Sequence, residues 1–559
     1  MTFPNVTLSD WRAQVEKELA GAAFDKALVT KTAEGLSVQP LYTEAKAQAS
    51  LALTGAPFRI CMHHATAEGL TQDLDGGADA IWLSLSDAAS LDQALARKPA
   101  PFLVLDTKAT PAAEAIALLS SKGVDKSFTF ALTSDPIGAV ARGDAASSSI
   151  ESALGALGRA AKAARDSFLS STTAMVSTLP YHDAGADAAD EIAIALGAGV
   201  AYLAALQAAG LTSLEAAGQI ALQVAVGRDT FVELCKLRAL RLCWQKILTA
   251  SGAPEATTRV HAVCSSRTLT QRDPWVNMLR VTTQVFAAVL GGSDLVTPIA
   301  FDERLGPPSQ LGRRVARNTG LVLREESFLG KVVDPASGSY YFETLTDELA
   351  RDAWKRFQAM QKEGGIADAL TSGRLLSKLE SAWKARLDLL GKRRAAVLGV
   401  SDFANLEEKL PRPASTNDAA PKAGALPVRH DGDPFERLRA KGYGIKGAAA
   451  ILVTLGTLAE SRPRAGFAAG FFAAGGIRTR ETASNEKANI ACLCGTDERY
   501  GTEAVDRVRA LKAAGCKHVV IAGRPGALEA QLREAGADSF IYVGCDAAGM
   551  LSDFLDVLS

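Results

Sequence analysis

The chain has 559 residues, more than one hydrophobic core usually reaches, which predicts at least two domains. Its 61 Lys and Arg are balanced by 62 Asp and Glu, so it lacks the basic excess typical of nucleic-acid binding. Eight scattered cysteines, none at a metal-ligand spacing, argue against a zinc site and against a disulfide framework.

The N-terminal stretch MTFPNVTLSDWRAQ has no basic segment followed by an apolar run, so we expect no signal peptide and a cytoplasmic protein. Residues 192–214 carry no charge over a length that could span a membrane. They are mainly Ala and Gly and include Gln207, which favours a buried helix of a large domain. We therefore expect no membrane contact.

Short apolar runs alternate with Ala-rich helical stretches from about residue 58. Nearly continuous apolar strands between helices are typical of a parallel sheet that is covered on both faces. Seven runs, with an eighth that is easily missed, predict a closed (β/α)8 TIM-type barrel, although two or three helices are expected between 178 and 260. The runs are FRICMHH (58–64), AIWLSL (80–85), PFLVLD (101–106), SFTFAL (127–132), TAMVST (173–178), VHAVCSS (260–266) and DLVTPIAF (294–301).

Helical patterns fill residues 344–398, and a proline-rich stretch at 410–434 follows them. Its composition is that of a linker, and a linker this long often wraps over a neighbouring surface. The remaining residues alternate five strand-like runs with helices, which predicts a doubly wound, flavodoxin-like sheet. The runs are AAILVTL, GIRTRET, NIACLCG, HVVIAG and SFIYVG. In the third run, alternation points Cys492 and Cys494 to one face, as buried small side chains.

Side chains at the carboxyl ends of barrel strands usually form the active site. A histidine between a tyrosine and an aspartate could act in acid–base catalysis, and arginines could bind the carboxylate or phosphate groups of a substrate. The alternative is structural, because such acids also cap helices and Arg–Asp pairs also hold loops. The candidates are His63, His64, Tyr181, His182, Asp183, Arg267, Arg272, Asp302, Glu303 and Arg304.

In the smaller domain, residues 451–470 read ILVTLGTLAESRPRAGFAAG, a strand that runs into a loop where open α/β sheets usually bind ligands. The loop has no histidine, no aspartate and no glycine cluster. Residues 523–526, GRPG, could hold an anion on backbone amides, but a plain turn explains them as well. The chain has neither a G-x-G-x-x-G nor a G-x-x-x-x-G-K-[ST] motif, so no nucleotide site is indicated.

Residues 272–350 strongly resemble methylmalonyl-CoA mutases, which are adenosylcobalamin-dependent radical isomerases. The most specific motifs are DPW-N--R, FDE-LG-PS, RR-ARNT and L-EES--G-V-DP--GS-Y-E-LTDELA, and the similarity continues in AEGLSVQPLYT (33–43), YHDAGADAADEIAIALGAGVAYL (181–203) and DPFERLR (433–439). The resemblance implies a barrel followed by a cobalamin-binding-type domain. We expect a partner-contacting arm at 1–45, the barrel with trailing helices at 46–398, a linker at 399–446 and the second domain at 447–559.

Two departures from the family pattern stand out. The family's cobalt-binding loop, D-x-H-x-x-G, is replaced here by a loop around Gly456, Thr457, Glu460 and Ser461, none of which is a plausible axial ligand. The early barrel segment rich in Tyr and Arg is reduced to one tyrosine and Arg59. His182, Asp302 and Glu303 occupy family positions but lack these partners, so the resemblance implies vestigial residues rather than catalytic ones.

With both departures, the chain resembles the small subunit of heterodimeric methylmalonyl-CoA mutase. That subunit is a degenerate copy that pairs with a homologous large catalytic subunit. The large subunit would bind adenosylcobalamin and the acyl-CoA, and this chain would bind no cofactor and no metal. Two alternatives stay open: an active cobalamin-dependent acyl-CoA mutase in its own right, and a free-standing chaperone or binding protein of the mutase.

Overall fold

The computed structural model describes residues 6–45, 51, 53, 55–107, 111–413 and 422–559. Eight parallel strands close into a barrel in which the last strand, Leu295–Thr297, pairs with both the first, Arg59–His64, and the seventh, Arg259–Cys264. The predicted (β/α)8 barrel is confirmed. Its strands are β3 (Arg59–His64), β4 (Ala80–Ser84), β5 (Phe102–Asp106), β6 (Phe130–Ser134), β7 (Ser171–Ser177), β8 (Ile220–Val226), β9 (Arg259–Cys264) and β10 (Leu295–Thr297).

The eighth strand, β8, lies between 178 and 260, where only helices were expected from the sequence. Each of the seven predicted runs contains a strand or overlaps one, and two of them differ from it by more than two residues at one end. The strand in SFTFAL begins later, at Phe130, and continues to Ser134. The strand in DLVTPIAF ends at Thr297 because Pro298 has no N–H for the sheet.

Side chains alternate along each barrel strand between two separate cores. One set of strand residues, such as Ile60 and Ile81, packs outward against the helices in the large core. Their neighbours Cys61 and Ala80 point inward and belong to a small cluster on the barrel axis. This period of two explains why the strands read as continuous apolar runs.

Helices surround the barrel and continue beyond it. One of them, Ala188–Ala208, is rich in Ala and is long and apolar enough to cross a membrane, but it is mostly buried inside the described structure. The helices that surround and follow the barrel are α3 (Leu70–Asp75), α4 (Ala88–Leu95), α5 (Ala112–Ser121), α6 (Pro136–Ala141), α7 (Ile150–Ser167), α8 (Leu179–Asp183), α9 (Ala188–Ala208), α10 (Ser213–Gly218), α11 (Thr230–Ala250), α12 (Val276–Leu290), α13 (Gln310–Leu321), α14 (Tyr340–Lys362), α15 (Gly365–Thr371) and α16 (Arg374–Gly391). A π-helical turn spans Val322–Glu326, and 3-10 turns span Ser147–Ser149, Ser266–Thr268 and Glu303–Leu305.

An N-terminal arm precedes the barrel. It contains α1 (Leu8–Glu18), α2 (Phe24–Leu28) and the antiparallel strands β1 (Thr30–Lys31) and β2 (Ser37–Val38). None of its described residues, 6–45, is buried. The arm therefore has regular secondary structure but contributes no fully buried side chain to a core of this chain.

The C-terminal sheet has five parallel strands in the order β12-β11-β13-β14-β15, which confirms the predicted flavodoxin-like topology. Cys492 and Cys494 lie in the same core cluster, as the alternation predicts. Its elements are β11 (Ala449–Thr454), β12 (Arg478–Thr482), β13 (Ile490–Cys494), β14 (His518–Ala522) and β15 (Ser539–Ile541), with α17 (Asp433–Gly444), α18 (Leu458–Ala474), α19 (Asp497–Ala513), α20 (Glu529–Ala535), α21 (Ala547–Leu558) and a 3-10 turn at Gly526–Leu528.

Candidate functional site: the barrel mouth and the C-terminal crevice

The chain's own linker crosses the mouth of the barrel, at the carboxyl ends of the strands. The Arg429 N–H donates to the carbonyl oxygen of Asp183 at 3.0 Å, and the Asp431 N–H donates to that of Arg267 at 2.9 Å. Because these carbonyls follow β7 and β9, the linker spans several strand ends. We call residues 426–431 the strap.

The strap is held at the mouth by one buried carboxylate. Asp431 is 1% exposed and accepts two hydrogen bonds from the guanidinium of Arg386, at 2.7 and 2.6 Å. Arg228 lies 3.9 Å from the same carboxylate. Burial would raise the pKa of Asp431, but these arginines outweigh burial and hold it well below its usual range. Asp431 is therefore an ionised clamp between the linker and the barrel.

His182 lies beneath the strap, in α8, and is 1% exposed. Its Nδ1 is 2.7 Å from a carboxylate oxygen of Glu191, and its Nε2 is 2.6 Å from the hydroxyl of Ser265. Burial and the nearby charge of Arg267 lower the pKa of His182 to about 4. The ring is neutral at pH 7, and protein atoms already engage both nitrogens.

Glu191 connects His182 to a buried lysine. Lys236, fully buried on α11, lies 3.0 Å from Glu191 and 2.5 Å from Glu233, and it donates to the carbonyl of Ala225 at 2.7 Å. Burial opposes the charge on Glu191, but the lysine and the histidine outweigh it and lower its pKa to about 2. The lysine–glutamate pair is therefore ionised. Sequence analysis missed both residues, because Glu191 follows Asp190 in the first turn of α9 and Lys236 is one of five charged residues in α11.

The predicted acids of the mouth lie in different surroundings. Burial raises the pKa of Asp183 to about 7, and the charge of Glu191 adds to this shift. Burial also raises the pKa of Glu303 to about 7, and the charges of Asp302 and Asp183 add to that shift. Asp302 is 2% exposed, and its carboxylate accepts the N–H of Ser309 at 3.2 Å. Asp302 thus orders the turn that leads into α13, whereas Asp183 and Glu303 lie close enough to interact.

The arginines of the mouth bind the chain itself. Arg267 donates to the carbonyl oxygen of Ala186 at 3.1 Å and to that of His182. Arg304 lies 3.2 Å from Asp433 in the linker helix α17, and Arg272 lies 3.4 Å from Glu408. These contacts match the structural alternative, in which the arginines hold loops and linker together.

The two adjacent histidines of β3 face opposite sides. His63 points into the barrel mouth, where its ring lies 4.5 Å from that of Trp82. His64 points outward, and its Nε2 lies 3.1 Å from the carboxylate of Asp73. Arg59 lies at the opposite end of the strand, over the ring of Phe102. The structure therefore brings neither His64 nor Arg59 to the mouth, a consequence of strand alternation and direction.

Side chains occupy the axis of the barrel. The inward-facing cluster contains large residues such as Phe102 and Met175. Each residue of the cluster is at most 2% exposed. Above it, His261 hydrogen-bonds Thr297 at 2.7 Å and Gln223 at 3.3 Å, and burial with the charge of His63 lowers the pKa of His261 to about 3. The cluster is Cys61, Ala80, Phe102, Val104, Ala131, Met175, Ala221 and Leu295.

The crevice of the C-terminal sheet lies between β11 and β13, where the strand order reverses and such sheets usually bind ligands. Thr457 caps α18 and forms a capping box with Glu460. Glu460 reaches across the crevice to Arg499 at the start of α19, at 2.9 and 3.3 Å. Arg499 and Thr457 lower the pKa of Glu460 to about 2. The chain's own side chains therefore bridge this position.

The other residues around the crevice have local roles. Gly456 has a φ of 73°, and a Cβ there would approach Glu460 within 2.6 Å, so the bridge requires glycine at this position. The hydroxyl of Ser461 donates to the carbonyl of Thr457 at 3.1 Å. The GRPG loop leads only into a 3-10 turn at Gly526–Leu528. Within the described ranges, no group of three His, Cys, Asp or Glu side chains is placed to hold a metal ion.

A family model described as methylmalonyl-CoA mutase matches residues 104–425, from the third barrel strand into the linker. The chain is 35% identical to a protein of Streptomyces virginiae named methylmalonyl-CoA mutase small subunit, over 99% of this chain and 97% of that protein. The chain belongs to the methylmalonyl-CoA mutase family. The small subunit of the mutase from Propionibacterium freudenreichii subsp. shermanii is 30% identical over 100% of this chain and 95% of its own length.

The similarity to a mutase that is not named a small subunit is shorter. The methylmalonyl-CoA mutase of Escherichia coli is 34% identical over 41% of this chain and 33% of its own length. Within the methylmalonyl-CoA mutase family, the chain therefore matches these two proteins, each named a small subunit, along nearly its whole length.

Proposed function

We propose that this chain is the small, catalytically silent subunit of an adenosylcobalamin-dependent methylmalonyl-CoA mutase. The assembly would interconvert methylmalonyl-CoA and succinyl-CoA in propionate metabolism, and the homologous large subunit would bind both cofactor and acyl-CoA. The Glu460–Arg499 bridge across the C-terminal crevice is the observation that carries this proposal. A loop without an imidazole, bridged by its own ion pair, does not fit a cobalamin that needs histidine as its lower ligand.

The barrel supports the same conclusion. Its axis is occupied by packed side chains, and its mouth is crossed by the strap. His182 already bonds Glu191 and Ser265, and Asp302 orders a turn. We therefore propose that His182, Asp302 and Glu303 are inherited positions that touch no substrate.

The N-terminal arm supports a partner. Its helices bury no side chain in the described residues, and isolated helices this short are marginal in water. We propose that residues 1–45 contact the large subunit, that 46–398 form the barrel unit, and that 399–446 link it to a degenerate cobalamin-type domain at 447–559. All eight cysteines are free and buried, which suits the reducing cytoplasm in which we place the assembly.

Purification of the chain alone and with the large mutase chain of the same genome tests the proposal. We expect no cobalamin absorption and no turnover of methylmalonyl-CoA from this chain alone, and a stable one-to-one complex that turns over when the large chain is present. Stoichiometric cobalamin on the isolated chain, or turnover of any acyl-CoA by it, would support an active mutase instead. Absence of a complex would favour a separate binding or chaperone role.

A further inference from the structure

A group of partly exposed aromatic side chains lies on the outer rim of the barrel mouth. Phe231, in the first turn of α11, is 49% exposed, and Tyr340, in the first turn of α14, is 50% exposed. Leu41 in the arm is 43% exposed. Together with Tyr42 and Tyr341, these residues form what we call the rim patch.

Ring contacts make the rim patch continuous. The ring of Tyr341 lies 5.8 Å from that of Phe231 and 5.5 Å from that of Tyr42. The rings of Phe231, Tyr341 and Tyr42 therefore form a row, and Tyr340 and Leu41 are the chain neighbours of Tyr341 and Tyr42. Phe231 and Tyr340 keep about half of their surface in water. Adjacent exposed aromatics are typical of protein interfaces, where they supply much of the binding energy.

The rim patch is continuous with the N-terminal arm. Tyr42 belongs to the end of the arm, and Glu34, in the turn between β1 and β2, accepts the N–H of Ala188 at the start of α9 at 3.1 Å. The arm is thus fixed to the mouth rim beside the patch. Farther from this anchor, α1 and α2 contact each other through Trp11 and Phe24, with ring centroids 6.2 Å apart.

We infer that the rim patch, centred on Phe231 and Tyr340, is the barrel surface that docks the homologous large mutase subunit. The inference rests on the proposed function. A partner bound to the patch would also contact the arm. One interface would then cover both the exposed rings and the arm helices α1 and α2, which bury no side chain in this chain. Relatives named small subunits favour a larger partner chain over a second copy of this one.

The test uses acidic substitutions in first helical turns, where a carboxylate is compatible with the helix dipole and folding is preserved. Phe231→Asp changes the second residue of α11, and Tyr340→Asp changes the first residue of α14. Leu214→Asp and Leu458→Asp are matched controls, because they change the second residue of α10 and the first residue of α18. These leucines are 46% and 62% exposed and lie outside the patch.

Titration calorimetry with the purified large chain measures each dissociation constant, and circular dichroism confirms folding. We expect each patch variant to bind about tenfold or more weakly, and each control to bind within about twofold of the wild type. Wild-type binding with unchanged patch variants, or an equal loss in the controls, would overturn the inference and leave the proposed function standing. A wild-type chain that does not bind the large chain would remove both. A homodimer, detected by light scattering, that Phe231→Asp dissociates would assign the patch to a second copy and overturn the inference.

Discussion

Replacing Lys236 by methionine should destabilise the barrel strongly at pH 7. The ammonium group is fully buried and lies within 3.0 Å of Glu191 and Glu233, so its removal leaves two carboxylates without their cation. Breaking a buried ion pair from one side typically costs about 3–5 kcal/mol. With roughly 2 cal/mol/K of unfolding entropy per residue over about 300 barrel residues, the melting temperature should fall by about 5–8 °C.

Differential scanning calorimetry at a fixed scan rate measures this shift, since a chain of this size need not unfold reversibly. Lys246→Met is the matched control, because Lys246 is on the same helix but exposed, and we expect little change. Adding Glu191→Gln to Lys236→Met should recover part of the loss, because one uncompensated charge is then removed. If Lys236→Met shifts the melting temperature no more than Lys246→Met does, the assignment of Lys236, Glu191 and Glu233 as an ionised cluster is wrong.

Three further changes test the mouth. Asp431→Ala should free the strap from Arg386, so that trypsin cleaves at Arg429 several-fold faster than in the wild type; an unchanged rate would contradict the clamp. His182→Ala should cost about 1–3 kcal/mol of stability through lost hydrogen bonds, yet leave turnover of the mutase assembly nearly unchanged. A hundredfold loss of turnover with the assembly intact would show that this barrel takes part in catalysis. The buried histidines bind protons less readily when folded, so they make the melting temperature fall as the pH drops from about 6.5 towards 4, against the opposite contribution of Asp183 and Glu303, whose pKa values burial raises. His261→Gln should reduce that fall, and an identical pH profile in the variant would refute the assignment.

Most of the fold could be predicted from apolar periodicity. Strand β8 could not, and there is a physical reason why the sequence hides it. The run IALQVAV of β8 follows two Ala-rich helices without a clear turn, and Gln223 interrupts it. Inside the barrel, Gln223 hydrogen-bonds Ser177 at 2.9 Å and contacts His261. A polar side chain that is satisfied on the axis therefore looks, in the sequence, like a solvent-facing helix residue.

The contacts of the candidate site were less predictable, because they join residues far apart in the chain. His182 could be found next to Asp183, but its partner Ser265 lies 83 residues away. The carboxylate of Asp431 meets Arg386, 45 residues earlier, on a helix that follows the barrel. Local patterns identify side chains able to bind a ligand, but only the folded chain shows that other parts of the same chain already bind them.

The ion pair in the C-terminal crevice has a thermodynamic consequence. A protein that binds a ligand only when folded gains stability with ligand concentration, and loses it when the ligand is scarce. If this crevice binds no cofactor, as we propose from the Glu460–Arg499 bridge, the domain has no such dependence at that position. Its folding would be the same in cofactor-starved and cofactor-rich cells, so it would present a constant surface to a partner whose own cofactor comes and goes.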